Sequence, residues 1–230
     1  MTRDYVLSLN DEARLAAWHR QAQAHLSKGL ADGPCITISR EFGCQAYPLA
    51  KELATRLGEP WAVVDREVLQ EVAKKSGFSL EQIEKSRDTP AVLKAIFAMF
   101  LDQSHAEETK IFEHLRQTVC KFASAGNCII VGSGGVYATR EIQNIFHVRL
   151  VAPLEFRVGT IAEKLQLTNA QATEHVQLHQ KQRDDFIHRL AGKSLESPLN
   201  FHLVLNNGLL SPQQMAKIIE AGIRQKGMIE

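Results

Sequence analysis

Five short apolar runs punctuate this chain, at 35–39, 61–65, 127–131, 145–152 and 201–205, and stretches of helical periodicity separate them. A strand that is apolar throughout, instead of alternating, has both of its faces buried. Strands of that kind, alternating with amphipathic helices, predict an α/β fold: a three-layer, mainly parallel five-stranded sheet with helices on both faces. In such sheets ligands bind beyond the C-terminal ends of the strands. That rule singles out residues 39–48, Asp65 with Arg66, and residues 132–137.

The helical stretches carry their own punctuation. After Gly43, the residues Leu49, Leu53 and Leu57 recur on one helical face, and Gly58 ends it. Val68, Leu69 and Val72 line the next helix, up to Gly77. The segments opening at Ser79 and at Thr168 each have Gln three positions on, at Gln82 and Gln171, which fits a capping box. Thr89 and Pro90 read as an N-cap followed by proline at the first helical position. Leu93, Ile96, Phe97 and Phe100, then Ile111, Leu115 and Val119, keep helical spacing up to Gly126. This stretch, about 79–125, reads as a helical insert on the substrate side. A long polar helix reads from Thr168 to about 192, and Ser211 with Pro212 opens the last helix. Residues 1–34 form an N-terminal helical extension in this reading, with Asn10 as N-cap and Leu15, Trp18, Ala22 and Leu26 at helical spacing. Residues 35–230 then make one domain, in keeping with a chain of 230 residues.

Apolar residues make up 44% of the chain, enough for a sizeable core, and the net charge is +1. There is no bulk field to attract nucleic acid or an anionic membrane, and no basic stripe with interleaved aromatics. No run approaches the about 18 apolar residues of a transmembrane helix, and the first residues lack a signal-peptide core. Cys35, Cys44, Cys120 and Cys128 match neither C-x-x-C nor a zinc spacing. Cys35 and Cys128 fall inside strand runs, where a thiol behaves as a small hydrophobe. These features predict a cytoplasmic protein with neither nucleic acid nor membrane as a partner.

The loop after the first strand runs from Ser39 to Pro48 and enters a helix. A loop in that position can hold phosphate through backbone N–H groups and the helix dipole. A Walker A loop, GxxxxGK[ST], adds a second glycine, a phosphate-binding lysine and a hydroxyl for magnesium. Here Gly43 alone is in place, and Lys51 stands a turn or more inside the helix. On pattern alone this is a strand, a turn and a helix.

The string I-T-I-S-R-E-F-G, at Ile36 to Gly43, followed by L-A-K-E-L, resembles the opening of the cytidylate-kinase-like family. Gly58 to Leu69, with Asp65 at the strand end, resembles the family's second strand and the turn after it. Ile129 to Gly132, Phe146 to Arg157, and Leu203 to Asn206 with Leu210 to Pro212 resemble its later strands and last helix. The resemblance covers roughly residues 35–222 and implies a P-loop nucleoside-monophosphate-kinase fold. The activity it implies is ATP-dependent phosphoryl transfer to a CMP- or dCMP-like monophosphate or a related small acceptor. The cofactors it implies are ATP and Mg2+ for an active enzyme, and none otherwise.

The same comparison of motifs marks departures. Cys44, Gln45, Ala46 and Tyr47 stand where the family has Ser-Gly-Gly-Arg, so the flexible phosphate cradle loses its glycines. Gly132, Ser133 and Gly134 stand where the family has Gly-Arg-Gly, so an acceptor-side arginine is missing. Carried over residue by residue, the resemblance implies Arg40, Gly43, Cys44, Gln45 and Lys51 on the cofactor side. It implies Gly132, Ser133, Arg157 and Lys181 on the acceptor side, and Asp65, Arg183 and Arg189 in catalysis, with no resident protein metal site. A second kind of protein fits the same departures: a catalytically impaired kinase fold serving as a nucleotide-binding or partner-binding regulatory module.

Several of these residues have plainer readings beside the functional one. Asp65 suits a metal or acceptor contact, and equally the N-cap of the following helix. Lys181, Arg183, Asp184, Asp185 and Arg189 suit a phosphate-binding lid, and equally a solvated helix face paired within itself. His175 and His179 are four apart on a helix but lack the third ligand of a metal site. The expected ligand is a nucleotide or small phosphorylated molecule. The N-terminal helix and the helical insert are the surfaces expected for self-association or a protein partner.

Overall fold

The computed structural model describes residues 33–65, 119–132, 134–191 and 197–230. The expected N-terminal helix, the helix from Val68, the capping box at Ser79 and the N-cap at Thr89 all lie outside these residues. The described chain runs β1 (Cys35–Arg40), α1 (Ala46–Leu57), β2 (Ala62–Val64), β3 (Cys128–Val131), α2 (Gly135–Ala138), β4 (Ile145–Val151), α3 (Leu154–Leu165), α4 (Asn169–Ala191), β5 (Leu203–Asn206) and α5 (Pro212–Gln225). A helical segment at 119–125 precedes β3, and a short 3₁₀ turn, Pro198–Asn200, precedes β5.

The sheet has five strands in the order β2-β3-β1-β4-β5, and every pairing is parallel. In register, Ile38 meets Val131 on one side and Val148 on the other. β1 is therefore central: the chain leaves it toward β2 at one edge, returns through β3, and crosses β1 to reach β4 and β5 on the other side. The connections from β1 and β3 thus leave in opposite directions, and at such a switch point α/β sheets bind ligands in the crevice beyond the C-terminal strand ends.

The two faces of the sheet are chemically different. Ile36, Ile38, Phe146, Val148 and Leu150 share one face and pack on Leu49, Ala50 and Leu53 of α1 and on Met215, Ala216, Ile219 and Ile223 of α5. Each fully buried Leu or Ile of this kind contributes about 1.5–3 kcal/mol. Ser211 opens α5 with a reciprocal capping box, its hydroxyl accepting from the Gln214 N–H. The opposite face buries Cys35, Cys128, Ile130 and Ile145 against Val119 and Ala123. Nearer the C-terminal strand ends it carries Thr37, Ser39, His147 and Arg149, all buried. Gly135 lets α2 sit directly on this face, because a Cβ there would stand 3.3 Å from the Thr37 side chain.

α3 and α4 form a third layer around Val158, Ile161, Ala172 and Val176, with Phe42 packed against them. The expected capping box at Thr168 is present: the Thr168 N–H donates to Gln171 Oε1 at 3.0 Å, and the Gln171 N–H returns to Thr168 Oγ1 at 3.4 Å. The last strand begins later than the apolar run at 201–205 suggests. The Phe201 N–H is taken by Pro198 O in the 3₁₀ turn, bonding to β4 starts with the His202 N–H on His147 O, and the strand runs from Leu203.

Candidate active site

The loop between β1 and α1 sits at the crevice, and five of its backbone donors, those of residues 41, 42, 44, 45 and 46, are occupied from within the chain. The Glu41 N–H donates to Leu150 O at 3.0 Å, and the Cys44 N–H to Glu41 O at 3.2 Å. The Phe42 N–H donates to Gln180 Oε1 of α4, and the Gln45 N–H to Asn207 Oδ1 beyond β5, each at 2.7 Å. The Ala46 N–H closes on Cys44 O at 3.0 Å, and Pro48 has no N–H. Gly43 has φ 94°, and the space its Cβ would occupy is filled by the Arg157 backbone and Cβ. The glycine thus serves close packing on α3.

Arg157 is the hub of the loop. Its Nε donates to Ala152 O at 3.1 Å, its Nη1 to Phe42 O at 3.3 Å, and it pairs with the Glu41 carboxylate at 3.5 Å. Glu41 also accepts from the Ala152 N–H at 3.0 Å. Arg183 reaches the same place from α4: its Nη1 donates to Arg40 O at 3.4 Å, and its guanidinium lies over the Phe42 ring at 5.3 Å. Phe42 also stacks on His179, with centroids 4.9 Å apart. The Arg40 guanidinium occupies the side of Gly132 where a Cβ would project. The Cys44 thiol is pushed up to about 12 by burial and then by Glu41, while Arg157 and Arg183 pull it down.

The structure therefore brings together Arg40, Gly43, Cys44, Gln45, Gly132, Arg157 and Arg183 of the residues selected from sequence. Lys51 lies on α1 over the Tyr47 ring, 5.9 Å from its centroid. Asp65 follows β2 directly and is half-buried. Lys181 is exposed on α4. Arg189 belongs to α4, but its side chain lies outside the described residues, as does Ser133. Glu41, Phe42, Gln180 and Asn207 were not singled out from the sequence. Glu41 lies within the quoted loop, whereas Gln180 and Asn207 are neutral amides whose role depends on contacts across the fold.

A nucleotide phosphate fits this arrangement unevenly. The arginines converge at the strand ends, but the backbone N–H groups of Phe42 and Gln45 already have acceptors. Among the described residues, no group of three or more His, Cys, Asp or Glu side chains is assembled for a metal ion. No helix among them is long and apolar enough to cross a membrane.

Comparison with known proteins places this geometry. A crystal structure of an uncharacterized protein from Eubacterium ventriosum superposes with a TM-score of 0.63 at 18% identity, over 84% of this chain and 98% of that one. That likeness shows a shared fold. Shikimate kinase from Bacteroides thetaiotaomicron aligns over 85% of this chain and 97% of its own, at 12% identity and a TM-score of 0.43. A uronate isomerase from Corynebacterium glutamicum is 25% identical over 91 residues, which are 40% of this chain and 18% of that protein. The chain thus spans less than a fifth of the length of that curated relative. A model of the cytidylate kinase-like family matches residues 35–209, from the first strand to the turn after the last, and the chain belongs to that family.

Proposed function

We propose that this kinase-like protein catalyses ATP-dependent phosphoryl transfer to a nucleoside monophosphate of the CMP or dCMP type, or to a related small acceptor. The observation that supports it is the convergence of Arg157 and Arg183 on the backbone of residues 40–42 at the crevice. Phosphoryl transfer depends on positioning and charge neutralisation more than on covalent participation by the protein. In this reading Arg157 and Arg183 turn toward phosphate oxygens and Arg40 bridges the ends of β1 and β3. Arg189 and Lys181 add charge from α4. Asp65 supplies a carboxylate at the end of β2, and ATP with Mg2+ supplies the transferred group when bound.

The occupied loop donors favour a second reading, a catalytically impaired kinase fold that binds a nucleotide or a protein partner as a regulatory module. Coupled ATP turnover against a panel of nucleoside monophosphates separates the two. Turnover with one acceptor supports the enzyme. Folded protein that turns over none, and binds neither ATP with magnesium nor CMP at micromolar concentration in calorimetry, rules it out.

A further inference from the structure

Arg149 stands in β4 with Ser39 of β1 and Val204 of β5 as its register partners. Its side chain lies on the sheet face turned away from α1 and α5, and it is only 7% exposed. Its guanidinium carbon is 5.8 Å from the centroid of the Phe201 ring. Among the described residues, no carboxylate comes within ion-pair distance of it. Beside it, Ser39 is 4% exposed, and among the described residues its hydroxyl makes no hydrogen bond. The Tyr137 phenol faces the same charge: burial pushes its pKa up, while Arg149 and then Arg140 pull it down.

An arginine cannot shed its proton to escape burial, so the fold carries a full positive charge there. A ring face offsets part of that cost, but it leaves the guanidinium fork without the planar, bidentate oxygen acceptor it matches best. A buried hydroxyl and a phenol on the same face supply two further groups able to donate to an oxyanion.

We propose that Arg149, with Ser39 and Tyr137, forms an anion subsite on this face that receives a phosphate monoester. As the acceptor's phosphate subsite it rests on the kinase reading above. As an anion site it stands without that reading. Arg149 is then a specificity-determining residue, and uncharged acceptors are excluded.

The test uses the full chain and two probes, CMP and inorganic phosphate, with Arg149→Met and Arg149→Lys. Wild type is expected to bind both probes and to melt at higher temperature when either is present. Arg149→Met is expected to weaken both at least tenfold and to lose the phosphate-dependent rise in melting temperature. Without ligand it should melt no lower than wild type, because an uncompensated buried charge has been replaced by an apolar chain. Arg149→Lys keeps the charge without the fork and should fall between the two. An Arg149→Met protein that fails to fold, or melts well below wild type, assigns the arginine to structure and overturns the proposal. So does unchanged affinity for both probes. If wild type binds phosphate but not CMP, the kinase reading falls and the subsite stands. If wild type and Arg149→Met phosphorylate CMP with the same KM, the subsite falls and the kinase reading stands. Binding of neither probe by wild type overturns both.

Discussion

The backbone N–H of Phe42 donates to Oε1 of Gln180 at 2.7 Å, joining the loop after β1 to α4. Gln180 is held from its other side, where its Nε2 donates to Asp184 Oδ1 at 2.8 Å. A neutral side-chain oxygen thus satisfies a donor that a phosphate-binding loop would present to its ligand. The contact joins the two elements that must separate if the loop is to receive an anion.

Replacing Gln180 with alanine removes that acceptor. A single hydrogen bond of this kind contributes about 0.5–1.5 kcal/mol net, so stability should fall by no more than that. Hydrogen exchange at the Phe42 amide should accelerate. If the loop binds phosphate, the freed donor should tighten CMP or ATP binding by up to roughly tenfold, because about 1.4 kcal/mol of competition has gone. Calorimetry on the variant reads this directly, and weaker binding would show that Gln180 is part of the ligand site.

Gly43→Ala tests the loop from its other side. A Cβ at this position would stand 2.7 Å from the Arg157 Cβ and 2.9 Å from its carbonyl oxygen. The backbone is also at φ 94°, a region that L-residues occupy at a cost of about 1–2 kcal/mol. The expected loss is about 2 kcal/mol or more, visible as a lower denaturant midpoint with an unchanged slope. A midpoint equal to wild type would mean that the loop rearranges freely around residue 43.

Much of this architecture was legible from local pattern. The apolar runs locate the strands, and Thr168 with Gln171 locates the start of α4, because each signal lies within a few residues of the chain. The site was legible only in part. Arg40, Gly43 and Arg157 stand beside strand ends and could be placed by topology. Gln180 and Asn207 act across 138 and 162 positions of chain, and no local spacing encodes that. Reading β1 and β4 as apolar throughout passed over a polar face that does leave a trace in the sequence. Thr37 and Ser39 in β1, and His147 and Arg149 in β4, recur at a period of two, which marks one face of each strand as polar.

That polar face has a pH signature. His147 is held near pKa 4 against an ordinary 6.5, by burial first and then by His202 and Lys226. Its Nδ1 shares a 2.7 Å hydrogen bond with Thr37 Oγ1. The unfolded chain therefore binds a proton between about pH 6.5 and 4 that the folded chain refuses, so stability falls as pH falls through that window. The ceiling on the effect is about 3 kcal/mol, from about 1.36 kcal/mol per pKa unit. His202 is shifted in the same direction by burial and Lys226, and adds to the slope. Urea midpoints at pH 7 and pH 4.5 should differ for wild type and differ by less in His147→Gln, where the His202 contribution remains. An equal pH slope in the variant would move the effect to other groups.

Arg157 is where stability and ligand binding should separate. Its guanidinium joins Ala152 O, Phe42 O and the Glu41 carboxylate, and its backbone closes on Gly43. Arg157→Lys keeps the charge near Glu41 but cannot span all three acceptors, because an ammonium lacks the planar fork. Its stability should fall by about 1–2 kcal/mol, since one or two hydrogen bonds to a charged donor are lost. If Arg157 also meets phosphate, CMP affinity should fall by tenfold or more, beyond what the stability change alone brings to a folded protein. A variant that loses stability but retains CMP affinity would confine Arg157 to holding the loop. In that event Arg40 and Arg183 would be left as the described arginines beside the loop able to meet the phosphate, and Arg40→Lys and Arg183→Lys would be the variants whose affinities decide the matter.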